Sequence, residues 1–330
     1  MTGYRRAGVD LAGADRHVQA IGSTVTATWG ADVIGKFGGF AAGIRIPAGY
    51  RDPILMLTTD GVGTKLELAR RYSRWDGVGY DLVAMVVDDL AAVGARPIAV
   101  VDYLAVGQLE ASRDIAIVDS IARACREAGT ALLGGETAEH PGVMEPDQVD
   151  LAATALGVIE NGAELGPEKV RRGDVIVGLR SPNLRSNGFS LVRSIIGGRD
   201  LDASFPGEDA SLEEVLLLPS VLYSPRVQPI LGLCHAAAHV TGGGLPGNLP
   251  RVLPEGLGAV IQTRAWEVPG VFRILGEWGE IPEMELFSVF NMGIGFCLIV
   301  PPATLDQVVA ATAGVEIGQV VDAPGVILAS

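Results

Sequence analysis

Eight consecutive residues, Thr58-Thr59-Asp60-Gly61-Val62-Gly63-Thr64-Lys65, concentrate more chemistry than any other stretch of this chain. An apolar run, Ile54-Leu55-Met56-Leu57, feeds into them. Gly61 and Gly63 let the backbone approach a ligand and turn N–H groups toward an anion. Lys65 brings a compact positive charge, and Asp60 an oxygen donor for a divalent ion. The combination suits phosphate plus metal. It is not a P-loop, because Thr64 rather than glycine precedes Lys65 and Leu66 follows it. A glycine-rich turn with a solvated lysine fits the same eight residues.

Further carboxylates occur nearby. Over Asp81 to Val93 the residues Leu82, Val83, Val86, Val87, Leu90 and Val93 recur at helical spacing. The spacing puts Asp81 and Asp88 away from that stripe, as a helix cap and a solvated side chain. Asp89 falls at the stripe's border, where a carboxylate needs a salt bridge, a hydrogen bond or a metal. Gly134-Gly135-Glu136-Thr137 closes a short strand expected at Ala131 to Leu133. Asp60, Asp89 and Glu136 together form the oxygen-donor set that Mg2+ takes beside nucleotide phosphates. In the second half, Thr241-Gly242-Gly243-Gly244 reads as a second phosphate-cradling loop or as a plain turn. Ser186-Asn187-Gly188 precedes a helix, and Phe290-Asn291-Met292-Gly293 precedes a strand. His235 and His239 have the spacing of a zinc pair, but no Glu lies between them and no third His is near, so zinc is rejected.

The elements that must carry these residues alternate between strand and helix, so the class is α/β (α+β). The first ~45 residues show little regular pattern. A polar stretch near Glu160 to Arg172 divides the chain into domains 1–165 and 166–330. The 330 residues are 48% hydrophobic with 44 glycines, which excludes disorder. The net charge of −14 and the scarcity of aromatics exclude nucleic acid as a partner. No apolar run is long enough to span a bilayer. Cys125, Cys234 and Cys297 are odd in number and widely spaced, as expected of buried thiols in a reducing, cytoplasmic setting. No nucleophile elbow and no dinucleotide fingerprint is present.

Taken in order, Ala7-Gly8-Val9-Asp10, Gly38-Gly39-Phe40, Thr59 to Lys65, Asp81-Leu82-Val83-Ala84-Met85, Asp89-Leu90, Gly134 to Glu139, Ser186 to Arg193, His239 to Gly244 and Phe290 to Gly295 resemble the phosphoribosylformylglycinamidine cyclo-ligase family nearly end to end. The resemblance implies a two-domain synthetase fold, with an N-terminal mixed sheet that joins a partner's sheet in a homodimer and a C-terminal α/β domain. It implies ATP and Mg2+ as cofactors and a small ribonucleotide as substrate. Carried over by position, Lys65, Gly61, Gly63 and Thr64 contact ATP phosphates, Asp60 and Asp89 hold the metal, and Glu136 supports metal or nucleotide. Gly38 and Gly39 lie in a segment covering the nucleotide. Asn187, Thr241, Gly242, Gly243 and Asn291 line a nucleotide–substrate cleft. Arg185 stands where many relatives carry His before Ser-Asn-Gly. An arginine cannot accept a proton but can hold phosphate bidentately, so Lys65, Asn187 and Arg185 are the expected catalytic set. Rival readings are another ATP-using enzyme of the same superfamily and a nucleotide-binding relative without catalysis.

Overall fold

A computed structural model describes residues 11–207 and 209–329; the Ala7–Asp10 motif lies outside the described residues. The chain divides into two units. The first comprises residues up to 90 together with 96–160, and the second residues 91–95 together with 161–330.

The first unit begins with a helix that periodicity did not announce, α1 (Leu11–Thr26). A two-residue hairpin follows, β1 (Val33–Ile34) against β2 (Gly43–Ile44). Then come β3 (Pro53–Gly61), α2 (Lys65–Tyr72), α3 (Val78–Ala92), β4 (Arg96–Val106), α4 (Ala111–Glu127), β5 (Ala131–Glu139) and β6 (Val149–Glu160). The four long strands form one sheet in the order β3-β6-β4-β5. β6 pairs antiparallel with both β3 and β4, and β4 pairs parallel with β5. The parallel pair requires a crossover, which α4 supplies.

Two expectations shift here. The opening motif is mostly strand: β3 runs through Thr58, Thr59, Asp60 and Gly61, leaving only residues 62–64 as a turn before α2. β5 likewise runs on through Gly134 to Glu139 instead of ending at Leu133. Pairing along the full lengths of β4 and β6 extends both segments past their glycines.

Alternation divides the sheet's faces. Leu55, Leu57, Val101 and Tyr103 are exposed on one face. Thr58, Asp60, Val100 and Asp102 belong to the other. α3 is buried throughout from Asp81 to Asp88, not along one stripe.

The second unit holds a six-stranded sheet of β7 (Val175–Arg180), β8 (Ala236–His239), β9 (Gly258–Gln262), β10 (Ile294–Val300), β11 (Val315–Val321) and β12 (Gly325–Ala329). Its order is β12-β9-β11-β7-β10-β8, and only β12 and β9 pair in parallel. Helices α5 (Phe189–Ile196), α6 (Gly270–Gly279) and α7 (Leu305–Thr312) accompany it. Its core joins Val177, Leu179, Tyr223, Phe296, Leu298 and Val308. All three cysteines are free and buried, as expected. Burial pushes the Cys234 thiol up to about 12, far from the reactive range. Among the described residues no helix is long and apolar enough to cross a membrane.

Candidate functional site

α3 concentrates the first unit's electrostatics. Asp81 and Asp88 are one heptad apart on one face of the helix, and both are completely buried. That differs from the expected cap and solvated side chain. Lys65, the first residue of α2, explains Asp81: its Nζ lies 2.7 Å from Asp81 Oδ2, with the two side chains 1% and 0% exposed. An ammonium withdrawn this far and spent on a carboxylate is not displayed to a phosphate. Lys65 is a residue of the interior that ties the turn at 62–64 to α3.

Asp60 and Asp89 are different, because both remain partly exposed. Thr58 Oγ1 donates to Asp89 Oδ2 at 3.3 Å, which seats α3 on the face of β3 that carries Thr58 and Asp60. Asp60 Oδ1 accepts the Gly61 N–H at 2.7 Å. The structure therefore brings Asp60 and Asp89 to one neighbourhood, beside the turn where Gly63 holds φ at +73°. Glu136 is not with them. It sits on β5, opposite Tyr103 on the other face, and three strand spacings from β3, about 14 Å. Among the described residues no three His, Cys, Asp or Glu side chains gather closely enough to hold a metal ion. The expected trio reduces to a pair.

A cavity of about 630 Å³ wraps the free edge of β5. Its walls come from α1 (His17, Ile21), the β1–β2 loop (Lys36 to Ala42, with Gly38 and Gly39) and strands β4 and β5 (Asp102, Gly135, Glu136). Phe40, in that loop, stands fully in water. The cavity is mostly apolar with a few converging polar groups, as small-molecule pockets are. Asp102 is the residue that sequence reasoning missed. A lone carboxylate inside the β-rich run Ile98 to Leu104 was the available signal. Its neighbour across the strands is Gly135, where a Cβ would lie 2.2 Å from Asp102 Oδ1, so the glycine makes room for the carboxyl. Burial pushes the Asp102 carboxyl up to about 7, against one opposing backbone hydrogen bond. His17 Nε2 stands 3.3 Å from Thr137 Oγ1. Burial lowers the His17 pKa, with Asp114 pulling the other way.

In the second unit the three motif loops meet at one end of the sheet. β7 and β8 run antiparallel to β10, so the ends of β7 and β8 and the start of β10 coincide there. Asn187 Oδ1 lies 3.9 Å from where a Gly242 Cβ would stand, and a Gly244 Cβ would collide with the Phe287 and Phe290 carbonyls. Each loop uses left-handed backbone: Arg185 and Gly188, then Gly243 and Gly244, then Met292 and Gly293. Strain of this kind at Arg185 and Met292 collects where a site must be shaped.

Asn187, Thr241, Gly242 and Gly243 keep access to solvent; Asn291 and Arg185 do not. Asn291 Nδ2 donates to the Asn183 carbonyl at 2.9 Å, and its Oδ1 accepts the Gly293 N–H at 2.8 Å. It fastens two loops together instead of lining a cleft. Arg185 is 1% exposed, donates to the Gly295 carbonyl at 3.2 Å, and stacks over Tyr223 at 4.8 Å. The guanidinium is an internal strut, not a phosphate clamp. His235 Nδ1 is 2.7 Å from Asp174 Oδ2 while His239 ends β8, so the two histidines share no helical face and form no zinc pair.

The paired mixed sheets and their loop-borne sites define a two-domain α/β class. Residues 40–159 match the family model "AIR synthase related protein, N-terminal domain", and residues 171–329 match its C-terminal counterpart. Among solved structures, thiamine-monophosphate kinase from Stenotrophomonas maltophilia K279a superposes with a TM-score of 0.71 at 21% identity, covering 94% of this chain and 95% of its own. Hydrogenase maturation protein HypE in complex with ATP follows with a TM-score of 0.65 at 18% identity, covering 99% and 91%. A curated relative from Synechococcus sp. (strain CC9605), named phosphoribosylformylglycinamidine cyclo-ligase, is 44% identical over 93% of this chain and 90% of its own. The chain belongs to the phosphoribosylformylglycinamidine cyclo-ligase family.

Lys65→Met removes the ammonium from beside a buried carboxylate, and the expected cost is about 3–5 kcal/mol in urea unfolding. Lys65→Met with Asp81→Leu recovers most of that loss. If the single variant is as stable as the parent, the pair is not what holds α2 to α3. Asp102 predicts a pH effect. The folded state keeps a proton that the unfolded state releases, so stability falls as pH rises from about 3.8 to about 7. Asp102→Asn flattens that fall. An unchanged slope in unfolding midpoint against pH would refute the assignment.

Proposed function

We infer that this chain closes the imidazole ring of aminoimidazole ribonucleotide from formylglycinamidine ribonucleotide, with ATP converted to ADP and phosphate, in purine biosynthesis. The chain is an ATP-dependent cyclo-ligase forming a C–N bond. The 44% identity over nearly the whole chain carries this reading. The γ-phosphoryl passes to the formyl oxygen, the amidine nitrogen attacks that carbon, and the oxygen leaves with the phosphate. Such chemistry needs positioning and fixed donors more than a nucleophile.

The cavity around β5 is the best candidate for the adenine nucleotide. Its size, its cover by the Gly38-Gly39 loop and the ATP named with the HypE structure all support this. Asp60 and Asp89 fit Mg2+, since both offer carboxylate oxygens from partly exposed positions. The ion would supply charge neutralisation at the transferring phosphoryl. Gly61, Gly63 and Thr64 present backbone beside it. Asn187, Thr241, Gly242 and Gly243 are the accessible polar and backbone groups of the second unit, suited to the ribonucleotide. Lys65, Asn291 and Arg185 act by holding these loops.

The exposed apolar row Leu55, Leu57, Val101 and Tyr103 supports a homodimer joined through the first unit's sheet. Three buried thiols fit a cytoplasmic setting.

Incubation with formylglycinamidine ribonucleotide, ATP and Mg2+ is expected to give ADP and the imidazole product together. Intact ATP binding with no substrate-dependent ADP would overturn the cyclo-ligase reading and leave its two rivals. In the same assay Asp89→Asn raises the Mg2+ needed for half-maximal rate by about tenfold, the loss of one charged ligand; no change there removes Asp89 from the metal. Sedimentation is expected to show a dimer at micromolar concentration that Leu57→Glu converts to monomer. A monomeric parent protein contradicts the joined sheet.

A further inference from the structure

A second recess, of about 310 Å³, opens in the first unit at the other end of the β1–β2 hairpin. Three arginines line it: Arg45 just past β2, Arg96 at the start of β4, and Arg126 in the last turn of α4. No salt bridge or side-chain hydrogen bond engages any of the three guanidinium groups among the described residues. In a chain with 39 acidic against 25 basic residues, three unpaired arginines on one recess are a concentration of charge that the composition does not supply by accident. Among the described residues the only carboxylate lining the recess is Asp32, so the balance stays positive. Thr130 is also there, 4% exposed, and its hydroxyl has no hydrogen-bond partner. Buried hydroxyls are ordinarily satisfied, so this one marks a place where a ligand atom completes the site. Pro47 and Pro97 add rigid apolar wall beside the charges.

The geometry points to a binding site for a small phosphomonoester, its phosphoryl group held by Arg45, Arg96 and Arg126. Guanidinium forks suit phosphate oxygens, and several together hold a dianion in water. The volume exceeds what a bare phosphate fills, so the organic part of the ester lies against the prolines.

Position gives the site a consequence. Val33 and Ile44, the paired residues of the hairpin, line this recess, and the loop between β1 and β2 walls the cavity around β5. One hairpin thus has its base at the arginines and its tip over the nucleotide cavity. The base itself is thinly held, by the two-residue ladder and by the Arg45 N–H on the Asp32 carbonyl at 2.8 Å. A phosphoryl group that bridges Arg45 to Arg96 and Arg126 pins the hairpin to β4 and α4, and so steadies the loop over the cavity.

The test uses the full chain with ribose 5-phosphate and inorganic phosphate as probes, without nucleotide or turnover, so its failure leaves the cyclo-ligase reading intact. Equilibrium dialysis is expected to show both probes binding. Each of Arg45→Gln, Arg96→Gln and Arg126→Gln weakens that binding by about tenfold, as loss of a charge-assisted contact does. All three side chains are exposed, so the variants fold. Ribose 5-phosphate slows hydrogen exchange at the amides of residues 33–45 in the parent protein and not in Arg45→Gln. Binding that is equal in all four proteins overturns the site. So does an effect that sodium chloride reproduces at matched ionic strength. Weakened binding with hairpin exchange unchanged overturns the coupling to the loop.

Discussion

Three carboxylates on a helix with no solvent-facing side constrain this protein more than any other feature. Asp81, Asp88 and Asp89 all lie on α3, and only Asp89 reaches water. Burying charge is expensive, and it is tolerated only where a partner stands in fixed geometry. Lys65 is that partner for Asp81. The turn at Val62 to Thr64 must therefore end where Lys65 can enter the interior. That fixes the end of β3 relative to α3, and with it the placement of Asp60 near Asp89. The metal candidates are positioned by an ion pair in the protein interior.

Motif order made the family legible, and alternation of strand and helix made the class legible. What periodicity could not show was which polar residues face inward. Lys65 looked like a phosphate contact because its spacing from the glycines suits one. Its burial depends on Asp81, sixteen positions away in sequence, and no local pattern encodes that meeting. Arg185 misled in the same way. A guanidinium beside Ser-Asn-Gly invites an anion, but Tyr223 and the Gly295 carbonyl occupy it. Glu136 stands apart from the carboxylate pair for a different reason: strand order and face, which set its distance from Asp60, arise only when the sheet assembles. Asp102 was readable in principle, as one acid within a β-rich run, yet its partner Gly135 is a neighbour only across strands.

The second unit solves its positioning problem with backbone instead of charge. Its motif loops are held by left-handed residues and by amides such as Asn291 and Asn248, whose NH2 groups donate to main-chain carbonyls. Side chains such as Asn291 and Arg185 shape the loops there, while Asn187, Thr241, Gly242 and Gly243 keep access to solvent. Such a site tolerates side-chain change better than change of backbone conformation.

Phe40 carries one more implication. Its ring is fully in water beside the Gly38-Gly39 turn. Covering a phenylalanine is worth about 2 kcal/mol, a ratio of roughly thirty to one. Arrangements of the loop that shelter the ring are weighted by that factor before any other contact forms. The exposed ring is thus a standing cost, recovered by whatever surface comes to cover it.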